Sequence, residues 1–155
     1  MKAAFGDEYE EIVFAPAADQ RINLRIRWRS LSTPQSAADL SDGTIHFLLL
    51  LTILANPERG QIIAIDEPET GLHPGMFPIV AEFAAAAAES STIILTTHSP
   101  QFLDAFKENV PTTTVTLWEA GETTLSVLSG EKLSHWLKEF SLGSLFKSGE
   151  LEELA

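Results

Sequence analysis

A short apolar run that ends in two carboxylates constrains the fold of this sequence more than any other feature. Ile62 to Ile65 contains three β-branched residues in four positions, and Asp66 and Glu67 follow at once. Such a run is typical of a parallel strand that is buried on both faces. Ligands of open α/β sheets bind outside the carboxyl ends of the strands, so the two carboxylates are predicted to lie at a sheet rim. Pro68 predicts an extended backbone at Glu67.

A second strand of the same kind is predicted at Thr92–Thr97, and it ends at His98. Between the two strands, Pro74 is suited to the first turn of a helix that runs to about Ala88. Two buried strands separated by a helix indicate a βαβ unit, in which the carboxyl ends of both strands share one edge. His98 is therefore expected at the same rim as the two carboxylates.

An apolar segment from Ile45 to Leu54 predicts a helix that is buried on most sides, with Ser41 and Asp42 as its N-terminal residues. The start of this helix offers free N–H groups and the positive end of a dipole, and Gly43 allows a phosphate to approach the main chain. A well-capped core helix that binds no ligand explains the same residues, so both interpretations stay open.

Composition and charge limit the class of protein. The 155 residues, 45% hydrophobic and 21% charged, fit one soluble globular domain spanning 1–155, and the absence of cysteine excludes disulfides and thiolate sites. The net charge of −12 repels a phosphate backbone, so nucleic acid is expected to be contacted only indirectly. The apolar runs are too short to span a membrane and no signal peptide is evident, so we expect a cytoplasmic protein without membrane contact.

The flanking segments predict further elements. Arginines alternate with apolar residues over 21–29, which predicts a strand whose basic face is either solvated or contacts a partner or nucleic acid. The other expectations are an edge strand near 12–14, a loop over 30–39, a short helix over 100–106, a β-hairpin formed by 113–119 and 124–128, a helix over 131–140, and a partly loose tail over 143–155.

Three segments in this order resemble the catalytic half of the ATP-binding-cassette (ABC) ATPases, and most of all their RecF/SMC-like, AAA-type branch. They are Leu40–Thr44, Ile62–Pro74 and Thr96–Pro100. Each motif alone is weak, but their order and spacing are specific, and the resemblance covers about residues 20 to 150. It implies a P-loop NTPase-like, three-layer α/β sandwich with parallel core strands, present here as a partial domain with a C-terminal β-hairpin.

The resemblance implies a role for each residue at the predicted rim. Asp66 matches the Walker B aspartate, which holds Mg²⁺, and a carboxylate oxygen is the ligand that this hard cation prefers. Glu67 matches the catalytic glutamate that polarises the attacking water. His98 matches the switch histidine, which contacts the γ-phosphate of ATP.

Two further matches concern subunit contacts. Ser41, Asp42 and Gly43 match the signature loop, which in the family faces a nucleotide held by the opposite subunit. Thr70–His73 matches the loop that crosses the dimer interface, although His73 is equally well explained as a helix-start residue. His46 and His135 have no supporting neighbours and are interpreted as structural.

The phosphate-binding Walker A motif is missing, since the sequence contains no Gly-Lys pair. The chain thus resembles the carboxyl-terminal half of an ATPase domain and is expected to bind and hydrolyse ATP weakly or not at all alone. A homodimer, or a partner that supplies the Walker A half, would complete the site, and uncovered sheet edges predict self-association. The main alternative is a non-catalytic regulatory module, and a remoter one is a metal-dependent hydrolase that uses Asp66, Glu67, Glu69, His73 and His98. The biological process stays undetermined.

Overall fold

The computed structural model describes residues 1–16, 21–58, 60–128, 133 and 135–155. Its contacts divide the chain into two compact units, each with its own core. Unit 1 comprises Met1–Ile63 and Thr70–Ile94, and unit 2 comprises Ala64–Glu69 and Leu95–Ala155. The helices are α1 (Lys2–Phe5), α2 (Asp42–Leu54), α3 (Phe77–Ala88), α4 (Pro100–Asp104), α5 (Leu142–Ser148) and α6 (Glu150–Leu154). The strands are β1 (Tyr9–Pro16), β2 (Ile22–Trp28), β3 (Gln35–Ser36), β4 (Ile62–Asp66), β5 (Thr92–Thr96), β6 (Thr114–Glu119) and β7 (Glu122–Val127).

Unit 1 opens with an antiparallel sheet in the order β1-β2-β3. Ile12 lies opposite Ile26, and Phe14 lies opposite Leu24, so the apolar residues of both strands share one face. Ile26 is fully buried, which anchors this face in the core of the unit. The strand predicted over 21–29 is confirmed, and the edge strand predicted near 12–14 is the middle of β1.

Helix α2 carries much of the core of unit 1 and packs against α3. Its buried side chains recur at three- or four-residue spacing, whereas Ile45 and Leu49 are exposed. The exposed positions form a single stripe and the other residues of the helix are buried or half-buried, so the prediction that this helix is buried on most sides is confirmed. Helix α3 contributes small and branched buried residues, namely Val80, Ala81, Ala84 and Ala87.

Strands β4 and β5 form a parallel pair. At one end of the pair, the N–H of Thr92 donates to the carbonyl oxygen of Gln61 over 2.7 Å. At the other end, the N–H of Glu67 donates to the carbonyl oxygen of Thr96 over 3.2 Å. Exposure alternates along each strand, and Ile62 and Ile94 are 68% and 50% exposed. The prediction that these strands are buried on both faces is wrong, because no described element covers their outer face.

Unit 2 contains the predicted hairpin, whose two-residue turn is shorter than expected. Ala120 and Gly121 both take positive φ, as a type I′ turn requires. Behind the hairpin lies a core of leucines, namely Leu128, Leu133, Leu142, Leu145 and Leu151. The helix predicted over 131–140 lies partly outside the described residues.

The tail predicted to be loose is instead ordered into α5 and α6. A capping box between Ser141 and Ser144 starts α5, and Gly149 at φ 82° ends it. The tail prediction is wrong because leucines of this segment complete the core of unit 2. The α/β class with parallel strands and a C-terminal hairpin is confirmed. None of the described helices is long and apolar enough to cross a membrane.

Candidate functional site

Glu67 follows β4 directly and takes an unusual backbone conformation, with φ at 42°. Its N–H lies 3.2 Å from both the carbonyl oxygen and the hydroxyl oxygen of Thr96. The prediction of an extended backbone at Glu67 is therefore wrong, because these contacts to β5 outweigh the local influence of Pro68. Strained backbone of this kind costs about 1–3 kcal/mol and is concentrated at functional sites, which draws attention to this turn.

Asp66 is the last residue of β4 and its carboxylate accepts a hydrogen bond from the Thr96 hydroxyl. The residue is exposed, so a carboxylate oxygen is accessible from solvent. In the described part of the chain no three acidic or histidine side chains converge as a metal site. Mg²⁺ that acts on nucleotides is typically held by one or two carboxylates together with waters and phosphates. Asp66, with its orientation fixed by a hydroxyl, fits that ligand set.

Glu67 and His98 lie together at the carboxyl ends of β4 and β5, as the sequence predicts. The distance between Glu67 Oε1 and His98 Nε2 is 3.7 Å. The side chains are 45% and 85% exposed, respectively, so water and a ligand reach both groups. The pair is an ion pair only when the histidine is protonated. The arrangement brings a hydrogen-bonding imidazole beside a carboxylate that is able to accept a proton from water.

Thr96 and Thr97 are site residues that the sequence analysis missed. The Thr97 hydroxyl donates to Oε1 of Glu69 and accepts from the N–H of Ser99 over 3.0 Å. The two threonines thus tie the end of β4 and the segment after it to the end of β5, immediately before His98. The sequence signal was available, since two hydroxyl side chains precede the candidate histidine at the strand end.

The predicted signature residues lie at the start of α2, in unit 1. Ser41 is the N-cap, and its hydroxyl oxygen accepts from the N–H of Thr44 over 3.2 Å. Gly43 lies so close to the loop after β4 that a Cβ there would be 2.4 Å from the carbonyl oxygen of Gly71. The glycine is therefore needed for a close backbone approach, whether or not a ligand binds.

Two histidines fix the loop after β4 within unit 1. The Nδ1–H of His46 donates to the carbonyl oxygen of Thr70 over 2.9 Å. The Nδ1 atom of His73 accepts from the N–H of Gly75 over 3.1 Å and caps a short 3₁₀ turn at Pro74–Met76. Both contacts are structural, and the cap formed by His73 agrees with its interpretation as a helix-start residue.

The predicted site residues fall into two sets. Ser41, Asp42 and Gly43 belong to unit 1, whereas Asp66, Glu67 and His98 belong to unit 2. Within unit 2 the structure brings the last three together through Thr96 and the Glu67–His98 contact.

Solved structures of SMC ATPases are among those with a similar fold. One, from work on ATP-driven dimerization and DNA-stimulated activation of SMC ATPases, matches with a TM-score of 0.61 and 15% identity, covering 88% of this chain and 84% of that one. Another, the Smc head of Pyrococcus furiosus bound to the C-terminal domain of ScpA, has a TM-score of 0.62 and 17% identity. This second match covers 88% of the present chain and 35% of the Smc chain. At these identities the likeness establishes the fold alone.

Sequence comparison establishes the family. No curated protein matches the chain significantly. A family model described as "AAA domain, putative AbiEii toxin, Type IV TA system" matches residues 4–104, which is more than half of the chain. The match includes the start of α2, the carboxylates after β4, and His98. The chain therefore belongs to this family of AAA domains.

Proposed function

We propose that this chain supplies the hydrolytic half of a composite site for Mg-ATP, with the phosphate-binding loop provided by another segment or polypeptide. The observation that carries the proposal is the constrained turn at Glu67, which places that carboxylate 3.7 Å from His98 and beside Asp66. Strained backbone and paired polar groups at the carboxyl ends of parallel strands are typical of α/β active sites.

Each residue has a distinct role in the proposal. Asp66 would hold Mg²⁺, which supplies charge neutralisation for the phosphates when bound. Glu67 accepts a proton from, and orients, the water that attacks the terminal phosphate. His98 donates a hydrogen bond to that phosphate. Thr96 keeps the first two groups in place, because it contacts the carboxylate of Asp66 and the N–H of Glu67.

The start of α2 would act on a nucleotide in a second copy or in a partner. The Ser41 cap leaves further N–H groups of the first turn without an intrahelical acceptor, and Gly43 gives a close approach to the main chain. The structure from work on ATP-driven dimerization of SMC ATPases supports this arrangement, because its fold is similar to that of this chain. The exposed apolar positions Ile62 and Ile94 support the other part of the proposal, because parallel sheets are normally covered on both faces and a segment that carries the phosphate-binding loop would cover them.

The test is to purify the tagged chain from its native host together with whatever it binds, and to measure ATP binding and hydrolysis by the assembly. Glu67→Gln should lower the hydrolysis rate by about 10²–10⁴-fold, the usual effect of losing a general base, while ATP binding persists. Asp66→Ala should weaken Mg-ATP binding as well. Glu82→Gln, an exposed change on α3, is the matched control and should leave both unchanged.

Calorimetry of the purified chain alone completes the test. No heat with Mg-ATP, in the parent and in Asp66→Ala, agrees with a site that needs a second half. Binding by the isolated parent that is lost in Asp66→Ala would show that the chain forms a nucleotide site without the phosphate-binding loop.

The second candidate is a non-catalytic regulatory module, favoured by the lack of any Gly-Lys pair in the sequence. It predicts that the native assembly hydrolyses ATP equally well with Glu67 or with glutamine at that position. A parental rate for Glu67→Gln would therefore replace the hydrolytic proposal with this one.

A further inference from the structure

One arginine of β2 lacks the partner that its neighbours have. Arg27 Nε lies 2.9 Å from Oε1 of Glu11, and Arg29 Nε lies 3.9 Å from Oε1 of Glu10. Arg25 lies on the same face as both, yet its Nε is buried and has no hydrogen-bond partner among the described residues. The Nε atom of an arginine carries a hydrogen, so Arg25 presents a donor for which the described residues supply no acceptor.

The strand register explains the difference between the arginines. Arg27 lies directly opposite Glu11 of β1, whereas Arg25 lies opposite Val13 of β1 and Ser36 of β3. Neither neighbour of Arg25 carries a carboxylate. Because buried donors are almost always satisfied, the acceptor of this N–H is expected to lie beyond the described residues, and water or a ligand is able to supply it.

The surroundings of Arg25 form a cavity of about 420 Å³, entirely within unit 1. Its lining consists of Arg25, the segment from Leu31 to Ser36, which includes β3, and Asp39. Three hydroxyl groups, those of Ser32, Thr33 and Ser36, belong to this lining.

The wall of the cavity is held in place before any ligand arrives. The Nε1–H of Trp28 donates to Oε1 of Gln35 over 2.7 Å, and Nε2 of Gln35 donates to the carbonyl oxygen of Asp39 over 2.8 Å. Little conformational entropy remains to be lost when a ligand binds, which favours binding of small molecules.

We propose that this cavity binds the phosphate group of a small molecule, with the guanidinium of Arg25 as its principal ligand. A planar guanidinium matches the oxygens of a phosphate bidentately, and hydroxyl groups donate to the remaining oxygens. Asp39 disfavours a highly charged polyanion but is able to accept a hydrogen bond from a ligand hydroxyl. A nucleic-acid backbone is disfavoured, because Arg27 and Arg29 are paired with glutamates and the net charge is −12.

The direct measurement is a phosphate titration of the full chain, followed by NMR of the arginine Nε–H groups at matched ionic strength. We expect a saturable shift of the Arg25 signal and no saturable shift of the Arg27 signal. Arg25→Gln should abolish binding of inorganic phosphate, and Arg25→Lys should weaken it by about tenfold, because the charge is kept and the bidentate geometry is lost. Arg27→Gln, which removes the same charge two residues away, is the matched control and should bind phosphate as the parent does.

Folding and the source of phosphate are tested separately. Since the side chain of Arg25 has no described hydrogen bond to lose, Arg25→Gln should unfold at a urea concentration no lower than the parent does in phosphate-free buffer. If that variant does not fold, the parent titration and Arg25→Lys still test the site. Equal, non-saturable shifts at Arg25 and Arg27 would indicate screening and overturn the proposal. A saturable Arg25 shift with short oligothymidylate but none with inorganic phosphate would also overturn it, in favour of nucleic acid.

Discussion

Replacing Gly43 with alanine tests whether the start of α2 and the loop after β4 are packed backbone to backbone. The new Cβ would lie 2.4 Å from the carbonyl oxygen of Gly71. Ordinary contacts of this kind lie near 3.5 Å, so one of the two backbone segments would have to move by roughly 1 Å. A backbone atom yields less readily than the end of a flexible side chain, so the strain is not relieved by a rotamer change.

Two effects of opposite sign decide the outcome. Alanine is favoured over glycine in a helix by up to about 1 kcal/mol, and less in the first turn. Overpacking costs about 1–3 kcal/mol, which is the larger effect. We expect a net loss of about 1–2 kcal/mol in the free energy of unfolding, because the clash involves a carbonyl that cannot be repacked.

Urea unfolding monitored by circular dichroism measures this loss. With an m-value near 2 kcal/mol/M, typical for a small protein, the midpoint should fall by roughly 0.5–1 M. Gly60→Ala is the matched control, since its Cβ would meet only the Ile62 carbonyl oxygen at 3.6 Å and its φ is not positive. An unchanged midpoint for Gly43→Ala would refute the close backbone approach.

Two further substitutions test contacts within unit 2. Thr97→Val removes the hydroxyl that contacts Glu69 and the N–H of Ser99, so the free energy of unfolding should fall by about 1–3 kcal/mol in a urea titration. Thr92→Val, on the exposed side of β5, is the control and should leave the free energy of unfolding unchanged. Gly143→Ala would place a Cβ 2.1 Å from the carbonyl oxygen of Pro100, so its thermal midpoint should drop despite the higher helix propensity of alanine; a raised midpoint would contradict the packing of α5 on α4.

Features set by neighbouring residues in the sequence were predictable. The Ser41 cap and the start of α2 depend on a few adjacent positions, and the β-branched composition around Ile63 indicates a strand on its own. The approach of Glu67 to His98 was predictable too, because parallel strands end at one edge.

Features set by residues distant in sequence were not predictable. The positive φ of Glu67 depends on Thr96, which lies twenty-nine residues further along. The order of the tail depends on Leu145 and Leu151 reaching a core that the hairpin helps to form. The isolation of Arg25 depends on a register that places Val13, rather than a glutamate, opposite it. The alternating sequence pattern predicts the same environment for all these arginines, and only the strand pairing shows that their partners differ.

The remaining conflict between local sequence and structure concerns apolar residues on open faces. Strands β4 and β5 have the apolar composition of strands that are covered on both faces, yet Ile62 and Ile94 are exposed. The hairpin repeats the conflict, because Trp118, Leu125 and Val127 share its outer face and are exposed as well. Sequences normally agree with their own burial, so residues suited to a core but left in water indicate a covering layer that the described residues of the two units do not provide. The proposed ATP site calls for the same layer, since a phosphate-binding segment that packs on the open strands would bring its nucleotide to the rim where Asp66 and Glu67 lie.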